Sequence, residues 1–286
     1  MSTARRLTIL SVLAVLVCAL VYVVALGTSW GLDADARGLP TGTSGEAWAR
    51  AHVALRRAVD TVHVATLSLA ALGAAFVALR RRRGDLAFVA IATVAGANAT
   101  THVLKPLLAH ADPLGGESTR WLDDAFPSGH ATAAMSIALV AVIVSPRALR
   151  PWVALAASVY AATIGVGLVV VLAHYPSDVV GGYLVAGAWA SAMAAIALGR
   201  RERGAPARPV RLPPPGVLVA GTLAALVVGG LLLVPASRLG HGVFAVSAVV
   251  IAAVALAMPA GLTLVLGRER RPGPLGRGVG PAERAG

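Results

Sequence analysis

Residues 126–178 read FPSGHATAAMSIALVAVIVSPRALRPWVALAASVYAATIGVGLVVVLAHYPSD. Two apolar runs, 129–146 and 151–173, are joined by a short segment that carries Arg147 and Arg150. Each run is close to the about 20 residues that cross a hydrocarbon layer of about 30 Å. They predict two antiparallel membrane helices. Phe126–His130 and His174–Asp178 then return to the same side.

Six further runs follow this pattern, at roughly 7–28, 57–79, 85–104, 178–199, 215–235 and 242–266, giving eight candidate spans in 286 residues. Hydrophobic residues make up 57% of the chain and charged residues 13%, with a mean hydropathy of +0.76. A soluble domain of this length needs far more charge to cover its surface, so the excess apolar surface is expected to face lipid. The first run follows Arg5 and Arg6, as a signal peptide would. Its apolar stretch, Leu7 to Leu26, exceeds the about 7–15 residues of a usual signal core, so a retained anchor is expected. Cys18, the one cysteine, lies in that run and has no intrachain partner for a disulfide.

Orientation follows from lysine and arginine, which concentrate in cytoplasmic loops. With the N-terminus inside and the spans alternating, the inner segments hold Arg5, Arg6, Arg80 to Arg83, Arg147, Arg150, and five arginines each in 200–211 and 268–284, or 18 of the 25 basic residues. The outer segments hold the other seven: Arg37, Arg50, Arg56, Arg57, Lys105, Arg120 and Arg238. Both termini are therefore expected in the cytoplasm. The net charge of +12 sits in clusters between apolar runs, which argues for membrane lipids as partners and against nucleic acid. Outside, residues 29–56 and 105–128 read as polar loops. Inside, the Arg- and Pro-rich stretch 200–214 separates a core, 1–199, from an additional two-helix membrane segment, 215–266. A basic tail, 267–286, is expected to be disordered and to lie on anionic headgroups. The expected fold class is all-α: a polytopic membrane helical bundle of about eight transmembrane helices with a six-helix core.

Three segments fall on the outer face in this topology: Lys105, Phe126–His130 and His174–Asp178. Pro127-Ser128-Gly129 opening a helix leaves free backbone N–H groups at the positive end of the helix dipole, an anion cradle with a hydroxyl beside it. Gly129 lets the backbone come close to a ligand. His174 and Asp178 are four apart, so one helical turn brings them together. A carboxylate on one imidazole nitrogen fixes the tautomer and makes the other a better nucleophile or base. The pattern reads as phosphoryl transfer without metal or cofactor. His174 is the nucleophile, Asp178 orients it, and His130 is the general acid and base. Lys105, Ser128 and Gly129 hold phosphate oxygens. Each residue also has a plainer reading: a helix-end histidine, an N-terminal helix acid, a snorkelling lysine, an N-cap serine. Asp60, His63, Asn98, Thr100, Thr101 and His102 read as structural hydrogen-bonding groups. Trp30, Trp48 and Trp121 read as interface anchors.

At these residues the sequence resembles the type-2 phosphatidic acid phosphatase family, which shares its core with vanadium-dependent haloperoxidases. The family motifs are Lys-x6-Arg-Pro, Pro-Ser-Gly-His and Ser-Arg-x5-His-x3-Asp. Lys105 matches the start of the first, 127–130 the whole second, and His174 with Asp178 the end of the third. The resemblance covers roughly 104–182 and, as a six-helix architecture, extends to the first six spans. It implies a phosphatase acting on a lipid phosphate (phosphatidic acid, phosphatidylglycerophosphate or a polyprenyl diphosphate) at the extracytoplasmic face of the cell membrane, through a phosphohistidine. Two departures stand out. Asp112 occupies the arginine position of the first motif, before a matching Pro113, and Gly167-Leu168 occupies the Ser-Arg of the third. Arginine is the usual bidentate partner of phosphate. Loss of a single oxyanion donor costs roughly 2.7–4 kcal/mol of transition-state stabilisation. A shifted loop register would make Arg120 or His110 the substitute. The alternative expectation is a relative that binds lipid phosphates without efficient hydrolysis. A transporter would need charged residues deep in the spans, and these are scarce.

Overall fold

The computed structural model describes residues 2–40, 45–108, 126–202 and 242–267, and every regular element among them is an α-helix. In chain order these are α1 (Thr3–Ala25), α2 (Ser29–Arg37), α3 (Glu46–Asp60), α4 (Val64–Arg80), α5 (Gly84–Leu107), α6 (Gly129–Val144), α7 (Arg150–Val170), α8 (Pro176–Glu202) and α9 (Gly242–Gly267). Five of them, α1, α5, α7, α8 and α9, are long and apolar enough to cross a membrane, and α3 with α4 forms a sixth candidate bent by 60°. The chain is a polytopic helical bundle. Of the expected linker 200–214, the first three residues continue α8, and 203–214, the span 215–235, the tail beyond 267 and Trp121 lie outside the described residues.

The expected loop at 29–56 is largely helical, and the expected span 57–79 begins instead at Val64. Trp48, Leu55 and Val59 are spaced to share one face of α3, while Arg50, Arg56 and Arg57 lie off it. The charges that mark this stretch as polar are thus the outward face of an amphipathic helix. Leu55 and Val59 are buried against α7. Trp48 meets the ring of Phe244 on α9 edge-on, with centroids 6.4 Å apart, so it packs inward rather than serving only as an interface anchor. His63 ends the break. Its ring accepts the Thr66 N–H at 3.4 Å while Thr66 Oγ1 accepts the His63 N–H at 3.1 Å, a reciprocal cap that restarts the chain as α4.

At the centre stands α6. Its 16 residues make it about 24 Å long, shorter than a lipid core of about 30 Å. It is enclosed by α5, α7, α8, α9 and α4 and is buried along most of its length. The outer surface is apolar, with Leu16 and Leu20 of α1, Leu72 and Phe76 of α4, and Val246 of α9 all exposed. Such a surface suits lipid rather than water. The first helix, α1, runs antiparallel along α8. Ala4 lies beside Gly199, Ser11 Oγ donates to Ala188 O at 2.9 Å, and Cys18 Sγ lies 3.8 Å from Gly181 O. The last helix, α9, packs on α7, α6 and α8.

Helix polarity divides the bundle into two ends. At one, Arg150 of α7 donates to the carbonyls of Ile143 (3.5 Å) and Leu266 (3.3 Å), the C-terminal turns of α6 and α9. Arg81 reaches Val144 O at 2.7 Å. Cations at carbonyl-terminated helix ends satisfy orphan acceptors and the negative end of the dipole together. The other end gathers the C-terminus of α5 and the N-termini of α6 and α8.

Candidate functional site

Ser128 is the N-cap of α6. Its backbone is extended, and its Oγ accepts the Ala131 N–H at 3.3 Å, so the hydroxyl hydrogen is left to donate elsewhere. Its own N–H donates to the Asp178 carbonyl at 2.9 Å, tying the start of α6 to the start of α8. Small residues permit that contact. A Cβ on Gly182 would stand 2.6 Å from Ser128 O, and one on Gly181 would strike the Phe126 ring. A Cβ built on Gly129 would meet nothing within 4 Å among the described residues. A helix N-terminus of this kind, with small Gly129 in its first turn, is where an anion can be received.

α8 begins at Pro176, a residue suited to the first helical turn. The turn before it places His174 against Asp178, with Nδ1 3.4 Å from Oδ2. This is longer than an ordinary N–H···O bond, and such contacts often tighten only when substrate is bound. The same Oδ2 accepts the Tyr175 N–H at 3.0 Å, while Oδ1 has no partner among the described residues. Both side chains are buried, Asp178 completely. A carboxylate at Nδ1 favours the tautomer that keeps hydrogen there and leaves Nε2 a lone pair. His130, exposed in the first turn of α6, lies in the electrostatic field of His174, Lys105 and Asp60. Lys105 is half-buried in the last turn of α5. The structure thus gathers all six expected residues, His174, Asp178, His130, Lys105, Ser128 and Gly129, at one end of the bundle. Arg120, His110 and Asp112 lie outside the described residues.

Three of the polar residues of α5 make structural bonds. Thr101 Oγ1 pairs with Thr132 Oγ1 at 3.0 Å, Thr100 Oγ1 accepts from Trp189 Nε1 at 2.9 Å, and Asn98 Nδ2 donates to Val94 O in its own helix at 2.8 Å. At the expected Ser-Arg position, Gly167 faces α3, where a Cβ would meet Val59 Cγ2 at 3.0 Å, and Leu168 is wholly buried in the core. Close docking of α3 occupies the space beside Gly167, and neither residue presents a cation.

Residues 86–202, from α5 through α8, match the family model of the PAP2 superfamily. This region of the chain belongs to that superfamily. No curated protein and no solved structure matches the chain. The PAP2 region points to phosphatase-type activity, and it contains every expected site residue.

Two groups that join the site were not legible in the sequence as site residues. Asp35 of α2, outside the PAP2 region, accepts the Ser177 N–H on Oδ1 at 3.0 Å and contacts Ser177 Oγ through Oδ2. Burial pushes its carboxyl up to about 7. The Ser177 hydrogen bonds oppose the rise and the Asp178 charge adds to it. Asp60, at the end of α3, reaches His130 electrostatically. No local motif links position 35 to 177 or 60 to 130. Among the described residues, no group of three or more His, Cys, Asp or Glu side chains is arranged to hold a metal ion.

Proposed function

We propose that the protein is a membrane-embedded phosphatase that removes phosphate from a lipid phosphate through a phosphohistidine. The observation that carries this reading is the buried His174–Asp178 pair, bonded through the Asp178 carbonyl to the N-cap of α6. In the first step His174 Nε2 attacks phosphorus and the P–O bond to the lipid alkoxide breaks. His130 supplies the proton that the leaving oxygen takes. In the second step His130 removes a proton from water, which displaces phosphate from His174. Lys105, the Ser128 hydroxyl and the N–H groups around Gly129 hold the equatorial oxygens as charge gathers there. Asp178 keeps the imidazole in one tautomer.

The substrate classes are phosphatidic acid, phosphatidylglycerophosphate or a polyprenyl diphosphate. An apolar tail in the bilayer would leave the headgroup near the helix ends. The arginine distribution supports an extracytoplasmic site with both termini in the cytoplasm. A second reading, binding of lipid phosphate without efficient hydrolysis, is favoured by one observation: Gly167 and the buried Leu168 offer no cation where the family has arginine.

The test is phosphate release from a panel of these lipids by purified protein in detergent, beside His174→Ala. Acid-labile phosphate on the wild-type chain, absent from the variant, is the expected result. Release that persists in the variant would remove His174 as nucleophile. Binding of the lipids with no release from any of them would favour the second reading.

A further inference from the structure

The proposed reaction uses only groups within residues 86–202. Asp35 lies outside that region, yet it is built into the same wall. Its helix, α2, is N-capped by Thr28, and its other acid, Asp33, forms an exposed ion pair with Arg37 at 2.7 Å. Asp35 instead turns inward and is only 8% exposed. It accepts the N–H of Ser177, one of the donors that the first turn of a helix leaves without an intrahelical partner. The cap comes from 142 residues away rather than from the residue before the helix. Gly38, one turn further along, lies against Pro176. The residue after Ser177 is Asp178, which touches His174 and accepts from Ser128. One residue therefore separates Asp35 from the imidazole–carboxylate pair.

A plain helix cap is served as well by serine, threonine, asparagine or a solvent-exposed aspartate, and Asp35 is buried. Burying a second carboxyl beside Asp178 is a costlier arrangement. We propose that Asp35 is a positioning residue for the His174–Asp178 pair, holding the first turn of α8 through Ser177 so that the imidazole keeps Nδ1 on Asp178. The inference deepens the phosphatase reading and rests on His174 as the reacting group. The carboxyl titrates near neutral pH, so the hold also carries a pH dependence. Of the elements packed against α2, α8 presents Asp178. α1 brings Cys18 and Tyr22 at this end, and α9 has no titratable residue between 242 and 267.

The test compares wild type, Asp35→Asn, Asp35→Ala and Ser177→Ala in detergent. It reads kcat, KM and the pH profile of phosphate release, and the imidazole 15N spectrum of histidine-labelled protein. Asp35→Ala is expected to lower kcat by about a hundredfold, as a small misplacement of a reacting group does, with KM little changed. Asp35→Asn can still accept from the Ser177 N–H and donate to its Oγ. It should recover most of kcat while removing the limb of the profile near pH 7. The His174 signal, identified by its loss in His174→Ala, should move in Asp35→Ala while that of His63 stays.

An unmoved His174 signal overturns the proposal, even if kcat falls, because the effect then does not pass through the imidazole. If Asp35→Ala does not fold, Ser177→Ala, which removes the Oγ contact to Asp35, is expected to move the His174 signal in its place, and Asp35→Asn still reads the pH limb. If wild type releases no phosphate, or His174→Ala matches it, the phosphatase reading fails, and the 15N spectra still decide the role of Asp35.

Discussion

The two ends of α6 treat the same helix in opposite ways. At its C-terminus, Arg81 and Arg150 bond the last carbonyls, and both cations are engaged in closing helices. At its N-terminus the cap is neutral Ser128, and Gly129 has no described neighbour within 4 Å of where a Cβ would stand. One end is finished by charged groups and the other by a neutral hydroxyl. The lesson is that arginine count does not locate an anion site in this bundle. At the arginine-rich end Arg81 and Arg150 bond backbone carbonyls and Arg83 pairs with Asp85, while the arginine-poor end gathers two helix N-termini, Lys105 and two histidines.

Substitutions at the two ends should therefore fail in different ways. His174→Ala should lower phosphate release by at least about a thousandfold with unfolding temperature little changed, as removal of a nucleophile does. Asp178→Asn should cost about a hundredfold or more through the wrong imidazole tautomer, read as a fall in kcat at constant KM. At the opposite end, Arg150→Met should lower stability by about 1.5–3 kcal/mol, since a buried charged donor to two carbonyls is lost. Thermal unfolding would measure it, and the specific activity of the folded fraction should stay the same. A large loss of kcat in Arg150→Met would collapse the distinction between the ends.

Asp35 sharpens the contrast through pH. Its carboxyl is raised in the folded state from 3.8 to about 7, so the folded protein holds the proton more tightly than the unfolded chain. The stability this contributes is fully present below about pH 4 and is lost as pH rises through about 7. The unfolding temperature of wild type should fall across that window relative to that of Asp35→Asn. The smallest effect belongs to exposed Arg81: Arg81→Gln should cost under about 1 kcal/mol, because a solvated cation gains little from one carbonyl.

Much of the site was legible because its signals are short-range. His174 and Asp178 are one helical turn apart, so their meeting needs only that the chain turn there. Ser128 before an apolar run reads as an N-cap without knowledge of any neighbour. Less of the segment between α1 and α4 was legible. The charges of Arg50, Arg56 and Arg57 hide the stripe of Trp48, Leu55 and Val59, so a docked amphipathic helix reads as a loop. The bend at 61–63 is likewise invisible to a hydropathy run, which continues across it.

By itself the sequence determined the class of solvent, the helical state of the spans and the local pairs, because composition and periodicity act within a few residues. It also carried the family resemblance through Lys105, Pro127–His130, His174 and Asp178. Tertiary structure alone decided that α6 is central, that α9 packs on α7, α6 and α8, and that α3 docks where Gly167 leaves room. It also decided that Asp35 caps α8. These outcomes depend on shape and hydrogen-bond complementarity between segments up to 142 residues apart, and no local pattern encodes which partner a buried carboxylate will meet.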